Sequence, residues 1–240
     1  MRVMTFIAGL AAGLLLTASS TGAAPINFST GDGGDSVTPG ANTGYPVTPG
    51  AATILTPHTV WGDVSSSAGL APGTADWISY ANTGYGGFVA PDAPSRNIGD
   101  QTARFTRSFN IGGLGDLNLW ILADDTATVV VVGPDGYVNQ LFTAVTTQLD
   151  PCAPGGTGHA IGCVNADMGH ASLSGLTSGL YTLSVYAFQT HGMVFGIQYA
   201  GNYTQADDPP PPAVPEPTSM VLLGTGLVGL AGHLRRRFVR

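Results

Sequence analysis

The chain has no lysine and only one glutamate, Glu216, among its 240 residues. Without lysine it can provide neither a Schiff-base nucleophile nor the phosphate-binding lysine of a Walker A loop. Its interior is acidic, because three arginines stand against fourteen aspartates between Asp32 and Asp208, a formal charge of −11. Such a surface repels nucleic acid and anionic lipid, so neither is an expected partner. No cofactor is required, and calcium is the one ion that this charge favours.

Signatures of catalysis are also missing. The chain has neither the Gly-x-Ser-x-Gly nucleophile elbow nor the His-Glu-x-x-His zinc motif. Glycoside hydrolysis requires two carboxyl groups at a set separation, and the aspartates show no spacing that singles out a pair. We therefore expect no catalytic residues and a protein that is not an enzyme.

Residues 1–24 have the layout of a secretory signal peptide. Arg2 precedes an apolar stretch from Val3 to Leu16, and small residues follow at Gly22 and Ala24. A positive start, a short apolar region and a small-residue cleavage site are the three parts of such a signal. The alternative, a membrane anchor, would need a longer apolar stretch. The sequence therefore predicts export through the Sec translocon and cleavage after Ala24.

A second apolar stretch, residues 218–234, lies close to the C-terminus. As a helix it would span about 26 Å at roughly 1.5 Å per residue, just short of the ~30 Å hydrocarbon core of a membrane. Arg235, Arg236 and Arg237 follow directly and favour a cytoplasmic C-terminus by the positive-inside rule. The sequence thus predicts a transmembrane helix with these arginines as its membrane stop.

The four residues before this stretch are Val214, Pro215, Glu216 and Pro217. A Pro-Glu-Pro motif, a Gly/Leu-rich apolar helix and a terminal arginine cluster, in this order, resemble the PEP-CTERM sorting signal of Gram-negative bacteria, also catalogued as an ice-binding protein C-terminal domain. The resemblance covers residues 214–240. It implies that an exosortase recognises the motif, after a transient stage in the inner membrane, and that the protein is delivered to the envelope or the extracellular exopolysaccharide.

The chain between its two ends divides into three parts. Residues 25–52 are rich in Gly, Pro, Thr and Asn, and their low apolar content predicts an extended arm outside the folded domain. Residues 53–204 show strand and turn patterns without a helical period, which predicts a β domain. Residues 205–213 contain four consecutive prolines, which predict a stiff polyproline linker.

Alternation of apolar and polar residues predicts the strands of this domain. In residues 103–111 the apolar side chains that fall on one face are Phe105, Phe109 and Ile111. Residues 117–123 and 127–132 are apolar on both faces, which predicts two central strands joined by a tight turn at residues 124–126. Further strands are predicted at residues 181–188 and 193–201.

Turn patterns indicate how these strands are arranged. Residues 134–136, Pro-Asp-Gly, have strong turn chemistry. Leu176, Gly179 and Tyr181 match the Leu-x-x-Gly-x-Tyr pattern of a tyrosine corner, in which the phenol bonds back to the backbone in Greek-key sandwiches. The predicted fold is therefore all-β, a two-sheet β-sandwich of jelly-roll or Greek-key type, with a signal helix before it and a transmembrane helix after it.

The order of the strands also resembles a passenger domain that recurs in PEP-CTERM proteins, for which a galactose-binding-like jelly roll is the nearest general fold. The resemblance depends on four segments, at residues 76–84, 103–111, 119–133 and 195–201. Gly133-Pro134 replaces the Asn-Gly that often ends the third segment.

The two cysteines, Cys152 and Cys163, enclose a glycine-rich loop. In an exported protein we expect them to form a disulfide, which would stabilise the fold by roughly 2 to 3 kcal/mol through its effect on the unfolded chain. Zinc binding by both cysteines with His159 and His170 is the alternative. The spacing lacks the short Cys-x2-4-Cys pair of tetrahedral zinc sites, so no metal site is expected here.

Two kinds of side chain are candidates for ligand binding. Trp61 and Trp77 lie near strand ends, where partial exposure would let their indoles stack on sugar rings, whereas Trp120 is flanked by apolar residues and is expected in the core. Asp124 and Asp125 can bind calcium or sugar hydroxyls, and hydrogen bonding within the turn is the alternative role.

A second acidic segment, with Asp32 and Asp35, is also a candidate for calcium. The acidic sequence at residues 31–36 occurs only once, whereas calcium β-rolls are built from a repeated nonapeptide.

These patterns predict an exported, exosortase-sorted protein of the envelope or extracellular matrix of a Gram-negative bacterium, which binds glycan without catalysis. Its expected partners are the exosortase, the Sec translocon and exopolysaccharide. Two alternatives stay open. One is a purely structural surface protein without a specific ligand, and the other is a carbohydrate-active enzyme, which would need a cleft with two carboxylates.

Overall fold

A computed structural model of the chain describes residues 26–41, 47–86, 100–146, 161–190, 194–206 and 224–226. Twelve strands in this part form two six-stranded sheets that pack as a β-sandwich. Among the described residues, helical structure is limited to two short 3₁₀ turns, Pro134–Gly136 and Asn165–Asp167, and to residues 224–226. The predicted all-β, two-sheet sandwich is therefore confirmed.

The first sheet, sheet A, is antiparallel throughout. Its strands, in chain order, are β1 Ile26–Ser29, β4 Thr53–Ile54, β5 Ile78–Ser79, β7 Gly115–Asp124, β10 Gly169–Leu176 and β12 Gly196–Gln205. Their order across the sheet is β10-β7-β12-β5-β4, and β1 also pairs with β12.

The second sheet, sheet B, is antiparallel as well. Its strands, in chain order, are β2 Asp35–Pro39, β3 Gly50–Ala51, β6 Ala103–Ile111, β8 Thr126–Val132, β9 Val138–Phe142 and β11 Gly179–Phe188. Their order across the sheet is β3-β2-β6-β11-β8-β9. Strand β6 has the predicted bounds.

The main core lies between the two sheets, and β7 shows how the sequence places it there. Leu117, Leu119 and Ile121 occupy alternate positions of β7 and are buried between the sheets, because successive side chains of a strand point to opposite faces. Phe105 and Phe109 of β6 meet them from sheet B, as the alternation in that segment predicts.

A second apolar cluster covers part of the outer face of sheet A. The long connection between β4 and β5 places Trp61 and Trp77 against Leu122 of β7 and Ala200 of β12. This cover explains why β7 is apolar on both faces, since each of its two faces packs against an apolar cluster.

The prediction of an arm at residues 25–52 is wrong. Strand β1 pairs residue by residue with β12, from Ile26↔Tyr203 to Ser29↔Ala200, and β2 pairs with β6. The few apolar side chains of this segment are at inward positions, where Phe28 and Val37 join the main core. The prediction failed because it considered only the low apolar content of the segment, whereas the backbone of the segment pairs with a strand of each sheet.

The two central strands β7 and β8 are connected by the predicted turn, but they belong to different sheets. The chain crosses from sheet A to sheet B at Asp124 and Asp125, whose peptide bond is cis. Both strands are central, as predicted, because β7 lies between β10 and β12, and β8 lies between β11 and β9.

Several predictions fall outside the described residues: the signal peptide at residues 1–24, most of the linker, and the sorting segment apart from residues 224–226. Residues 206–240 form a unit separate from the sandwich. In the part of the chain that the structure describes, no helix has the length and apolar character needed to cross a membrane. Cys163 is fully buried and is not a free thiol. Its predicted partner Cys152 is not among the described residues, so this pairing stays a prediction.

Candidate functional site

Trp61 and Trp77 are stacked on each other inside the second apolar cluster. Their ring centroids are 4.2 Å apart at an interplanar angle of 24°, and the side chains are only 9% and 2% exposed. Trp61 Nε1 donates a hydrogen bond to Asp124 Oδ2 at 2.6 Å, and Trp77 Nε1 donates to the carbonyl oxygen of Gly62 at 3.0 Å. The expected partial exposure is therefore wrong, and neither indole offers a face on which a sugar could stack.

Asp124 and Asp125 are buried where the chain crosses between the sheets. Asp124 accepts the Trp61 hydrogen bond, and Asp125 Oδ2 accepts a hydrogen bond from Thr190 Oγ1 at 2.9 Å. These two partners lie 63 and 65 residues away in the chain, so the bonds are tertiary contacts and differ from the hydrogen bonding within the turn that was the alternative to ligand binding. Within the described ranges, no three His, Cys, Asp or Glu side chains form a group that could hold a metal ion.

Asp32 and Asp35, the second acidic candidate, are held by Arg107 of β6. Arg107 Nη2 donates to Asp32 Oδ2 at 2.6 Å and Nη1 lies 3.9 Å from Asp35 Oδ2. Partial burial acts to raise the pKa of Asp32, but the hydrogen bond and charge of Arg107 lower it below its ordinary value. Tyr199 of β12 donates a hydrogen bond to Asp35 Oδ1.

The inward position of Arg107 was missed at the level of sequence. Arg107 lies midway between Phe105 and Phe109 in β6, so the alternation that buries these two rings also turns the guanidinium inward. A buried charge must be paired, and this requirement points to an acidic partner. It does not say which of the aspartates is the partner.

Trp120 lies on the outer face of sheet A and is half-buried at the edge of the second apolar cluster. Its ring stacks on the exposed His170 of β10, with centroids 4.7 Å apart and an interplanar angle of 15°. The expectation that Trp120 is a core residue is therefore wrong. Trp120 is at an outward position of β7, and the β4–β5 connection covers this face only in part.

Next to this ring pair, a row of polar side chains crosses four strands of sheet A. The register pairs Ser172 with Asn118, Asn118 with Asn202, and Asn202 with Asn27. Directly paired residues share a face, and neighbouring strands are about 4.8 Å apart, so the row is roughly 14 Å long. All four residues are exposed or half-buried. We call these four residues the amide row.

Hydrogen bonds within the amide row fix the orientation of its side chains. Ser172 Oγ donates to Asn118 Oδ1 at 2.6 Å, and Asn202 Nδ2 donates to Asn27 Oδ1 at 2.8 Å. An asparagine amide has two N–H donors and an acceptor oxygen with two lone pairs, so these bonds leave donors and acceptors for a ligand. The arrangement suits a ligand that presents several hydroxyl groups.

The charge on this face is also informative. Asp116 of β7 is exposed there and accepts a hydrogen bond from the backbone N–H of Gly175 at 3.0 Å. Both arginines that the structure describes, Arg104 and Arg107, belong to β6 of sheet B. The amide row therefore lies on a face without an arginine among the described residues, which favours an uncharged ligand over an anionic one.

Sequence patterns gave little indication of the amide row. Its members come from four strands that are far apart along the chain, and only the register of those strands aligns them. One signal was available: the alternation in β7 places Asn118 on the same face as Trp120.

Comparison with known proteins identifies the C-terminal segment. Residues 213–237 match the PEP-CTERM protein-sorting motif, which confirms the resemblance drawn from the Pro-Glu-Pro, apolar and arginine parts of this segment. The motif implies that an exosortase recognises the chain during sorting and that the protein is exported. No curated protein sequence matches the chain.

Two solved structures show a distant likeness to the sandwich. One is an exo-β-1,3-galactanase from Phanerochaete chrysosporium with galactose, at 13% identity and a TM-score of 0.31, covering 75% of this chain and 30% of that one. The other is the K1 cleaved adhesin domain of Lys-gingipain from Porphyromonas gingivalis W83, at 13% identity and a TM-score of 0.36, covering 77% and 99%. The chain thus spans less than a third of the galactanase. At this level of similarity neither structure bears on its function.

Proposed function

We propose that this protein is delivered by exosortase sorting to the envelope or extracellular matrix of a Gram-negative bacterium, where its sandwich binds a neutral polysaccharide without catalysis. The sorting motif at residues 213–237 supports the delivery. The observation that supports glycan binding is the amide row beside the stacked rings of Trp120 and His170.

A polysaccharide chain fits this surface in length and in chemistry. The amide row extends over roughly 14 Å, so it can contact more than one sugar unit. Sugar hydroxyls both donate and accept hydrogen bonds, and so do the amides of Asn118, Asn202 and Asn27. The exposed ring of His170 offers an apolar surface to the C–H groups of a pyranose. Asp116 on the same face would repel a polymer of uronic acids.

Catalysis is not part of this proposal. Hydrolysis of a glycosidic bond requires two carboxyl groups that flank the bond. On β7, Asp116 is exposed, but Asp124 is buried and accepts the hydrogen bond of Trp61. On this strand only Asp116 is an exposed carboxylate, because Asp124, although on the same outer face, is covered by Trp61.

A purely structural role is the second candidate, and the burial of Trp61 and Trp77 favours it. Because both indoles are buried, the protein surface lacks the tryptophan stacking platform that the sequence predicted for sugar rings. In that case the amide row would only interact with water.

The test is a binding assay with the purified full-length protein, kept in detergent because of its C-terminal apolar stretch. Affinity electrophoresis would compare neutral with uronate-containing polysaccharides, each with Ca²⁺ and with EDTA. We expect neutral polymers to bind and the double variant Asn118→Ala/Asn202→Ala to bind at least tenfold more weakly, which corresponds to about 1.4 kcal/mol.

A matched control is available on the other sheet. Ser36 and Thr106 are paired on the outer face of sheet B, with their hydroxyl oxygens 2.6 Å apart, so Ser36→Ala/Thr106→Ala also removes two polar groups from an outer face. This variant should bind as the wild type does. No binding by any polymer would support the structural role, and equal losses in both double variants would show that the amide row is not the site.

A further inference from the structure

A cavity of about 350 Å³ lies between the 3₁₀ turn that joins β8 to β9 and the turn that joins β10 to β11. Its volume is at the lower end of the range of small-molecule sites. Its lining residues are Pro134, Asp135, Gly136, Tyr137, Gly175, Leu176, Thr177 and Tyr181. None of them belongs to the amide row.

Hydrogen bonds and ring contacts hold the walls of the cavity in place. The Tyr181 hydroxyl donates to the carbonyl oxygen of Thr177 at 3.1 Å, which confirms the predicted tyrosine corner. The ring of Tyr137 packs edge-on against Tyr181, with centroids 5.9 Å apart at 70°. The backbone N–H of Tyr137 closes the turn on the carbonyl oxygen of Pro134 at 3.0 Å. These contacts hold the two turns in place around the cavity.

Asp135 brings a carboxylate to the rim of the cavity. Its backbone has φ 55° and ψ 27°, the left-handed region that Asp and Asn enter more readily than other residues with a side chain. Asp135 is exposed, and within the described residues its carboxylate forms no hydrogen bond or ion pair. It can therefore accept hydrogen bonds from a ligand.

The lining combines two aromatic rings, the hydroxyl of Thr177 and one carboxylate, and it contains no basic side chain. Tyr181 is only 1% exposed and offers no free ring face, but the half-buried ring of Tyr137 can pack against the C–H face of a sugar. The hydroxyl and carboxylate can bond to the hydroxyl groups of the sugar. A ligand that carries a carboxylate would be repelled by Asp135, because no basic side chain lines the cavity to offset the two negative charges. We propose that this cavity binds a single pyranose unit that has no acidic group.

This inference rests on the proposed function only for the class of ligand, because the site is a different one. Gly175 lines the cavity and donates its backbone N–H to Asp116, which shares the outer face of sheet A with the amide row. A glycan-binding protein with both sites would hold the length of a polymer on one surface and a single sugar unit at the other.

The experiment is saturation-transfer NMR on the full-length protein in detergent, with methyl glucoside, glucosamine and glucuronate as separate probes. We expect the first two to bind and glucuronate to bind at least fivefold more weakly. Asp135→Asn keeps the left-handed backbone, because Asn adopts it readily, and should remove most of this discrimination. Tyr137→Ala should weaken binding of methyl glucoside at least fivefold.

Two controls separate this site from its surroundings and from the amide row. Leu180 is 64% exposed and directly follows Gly179, which lies against Pro134, but it does not line the cavity, so Leu180→Ser should leave all three signals unchanged. Asn118→Ala/Asn202→Ala should also leave them unchanged. Equal binding of glucuronate to the wild type, or no binding by any probe, would overturn the inference and leave polysaccharide binding by the amide row standing. Loss of signal in the Asn118→Ala/Asn202→Ala variant would overturn it as well, since the sugar would then bind at the amide row.

Discussion

The hydroxyl of Tyr199, on the inner face of sheet A, donates a hydrogen bond to Asp35 Oδ1, on the inner face of sheet B. Arg107 of β6 approaches the same carboxyl group and pairs with Asp32. This polar cluster lies beside the apolar core between the sheets. A buried charge is tolerated only when it is paired and hydrogen-bonded, so the cluster constrains how the two sheets face each other.

Stability should depend on pH through Asp35. Burial raises the pKa of Asp35 above its ordinary value of 3.8, in spite of the Tyr199 hydrogen bond and the charge of Arg107. The folded state then holds the proton more tightly than the unfolded chain, so the free energy of unfolding falls as pH rises from 3.8 through the raised pKa. The free energy of unfolding of the wild type, minus that of Asp35→Asn, should decrease over this interval.

Urea titrations of both proteins from about pH 3.5 to pH 7 measure this difference. Asp32 and the other carboxyl groups titrate in both proteins, so most of their contribution cancels. A difference that does not change with pH, or one that increases as pH rises, would contradict the prediction.

The hydrogen bond from Trp61 to Asp124 should stabilise the second apolar cluster. In Trp61→Phe the buried Asp124 carboxylate loses a donor, which should lower the free energy of unfolding by roughly 1 to 3 kcal/mol beyond the cost of the smaller ring. Trp77→Phe is the matched control, because it makes the same change of ring but removes a bond to a neutral carbonyl. Chemical denaturation should show the larger loss for Trp61→Phe, and equal losses would argue against a special role of the carboxylate.

Gly133 should tolerate no side chain. A Cβ at this position would overlap Cε1 of Tyr181, the ring of the tyrosine corner. Gly133→Ala should therefore destabilise the fold by about 1 to 3 kcal/mol, the usual cost of overpacking a rigid site. Gly50→Ala in β3 is the control, since a Cβ there meets no atom within 4 Å. Thermal unfolding of the two variants gives the comparison, and a Gly133→Ala protein as stable as Gly50→Ala would contradict the packing argument.

Sorting should depend on Glu216, the only glutamate of the chain. Glu216→Ala should leave an unprocessed form in the membrane fraction, because the resemblance assigns recognition to the Pro-Glu-Pro motif. Thr218→Ala changes a neighbouring residue outside that motif and should be processed normally. Immunoblots of the membrane fraction and the culture medium distinguish the two, and normal processing of Glu216→Ala would rule out recognition through this residue.

The sandwich could be predicted because its signals are local. Alternation gave the bounds of β6, and the spacing of Leu176, Gly179 and Tyr181 gave the tyrosine corner, since each pattern depends on residues that are close in the chain. The sorting motif could be identified for the same reason: its three parts follow one another within residues 213–237.

The candidate sites could not be predicted to the same extent. Trp120 was expected in the core and Trp61 and Trp77 near the surface, yet the structure shows the opposite order of exposure. Whether an outward residue of β7 is covered depends on where the β4–β5 connection folds. Neighbouring residues in the sequence do not contain that information.

The sequence by itself determined five strands of the sandwich, the acidic charge of the domain and the sorting motif, because periodicity, composition and contiguous motifs do not depend on distant partners. Only the tertiary structure decided that residues 26–29 and 35–39 are strands of the sandwich and that Arg107 pairs with Asp32. It also decided that the amide row is continuous and that a cavity lies between two turns. Each of these features joins segments that are far apart in the chain, and the register of the strands brings those segments together.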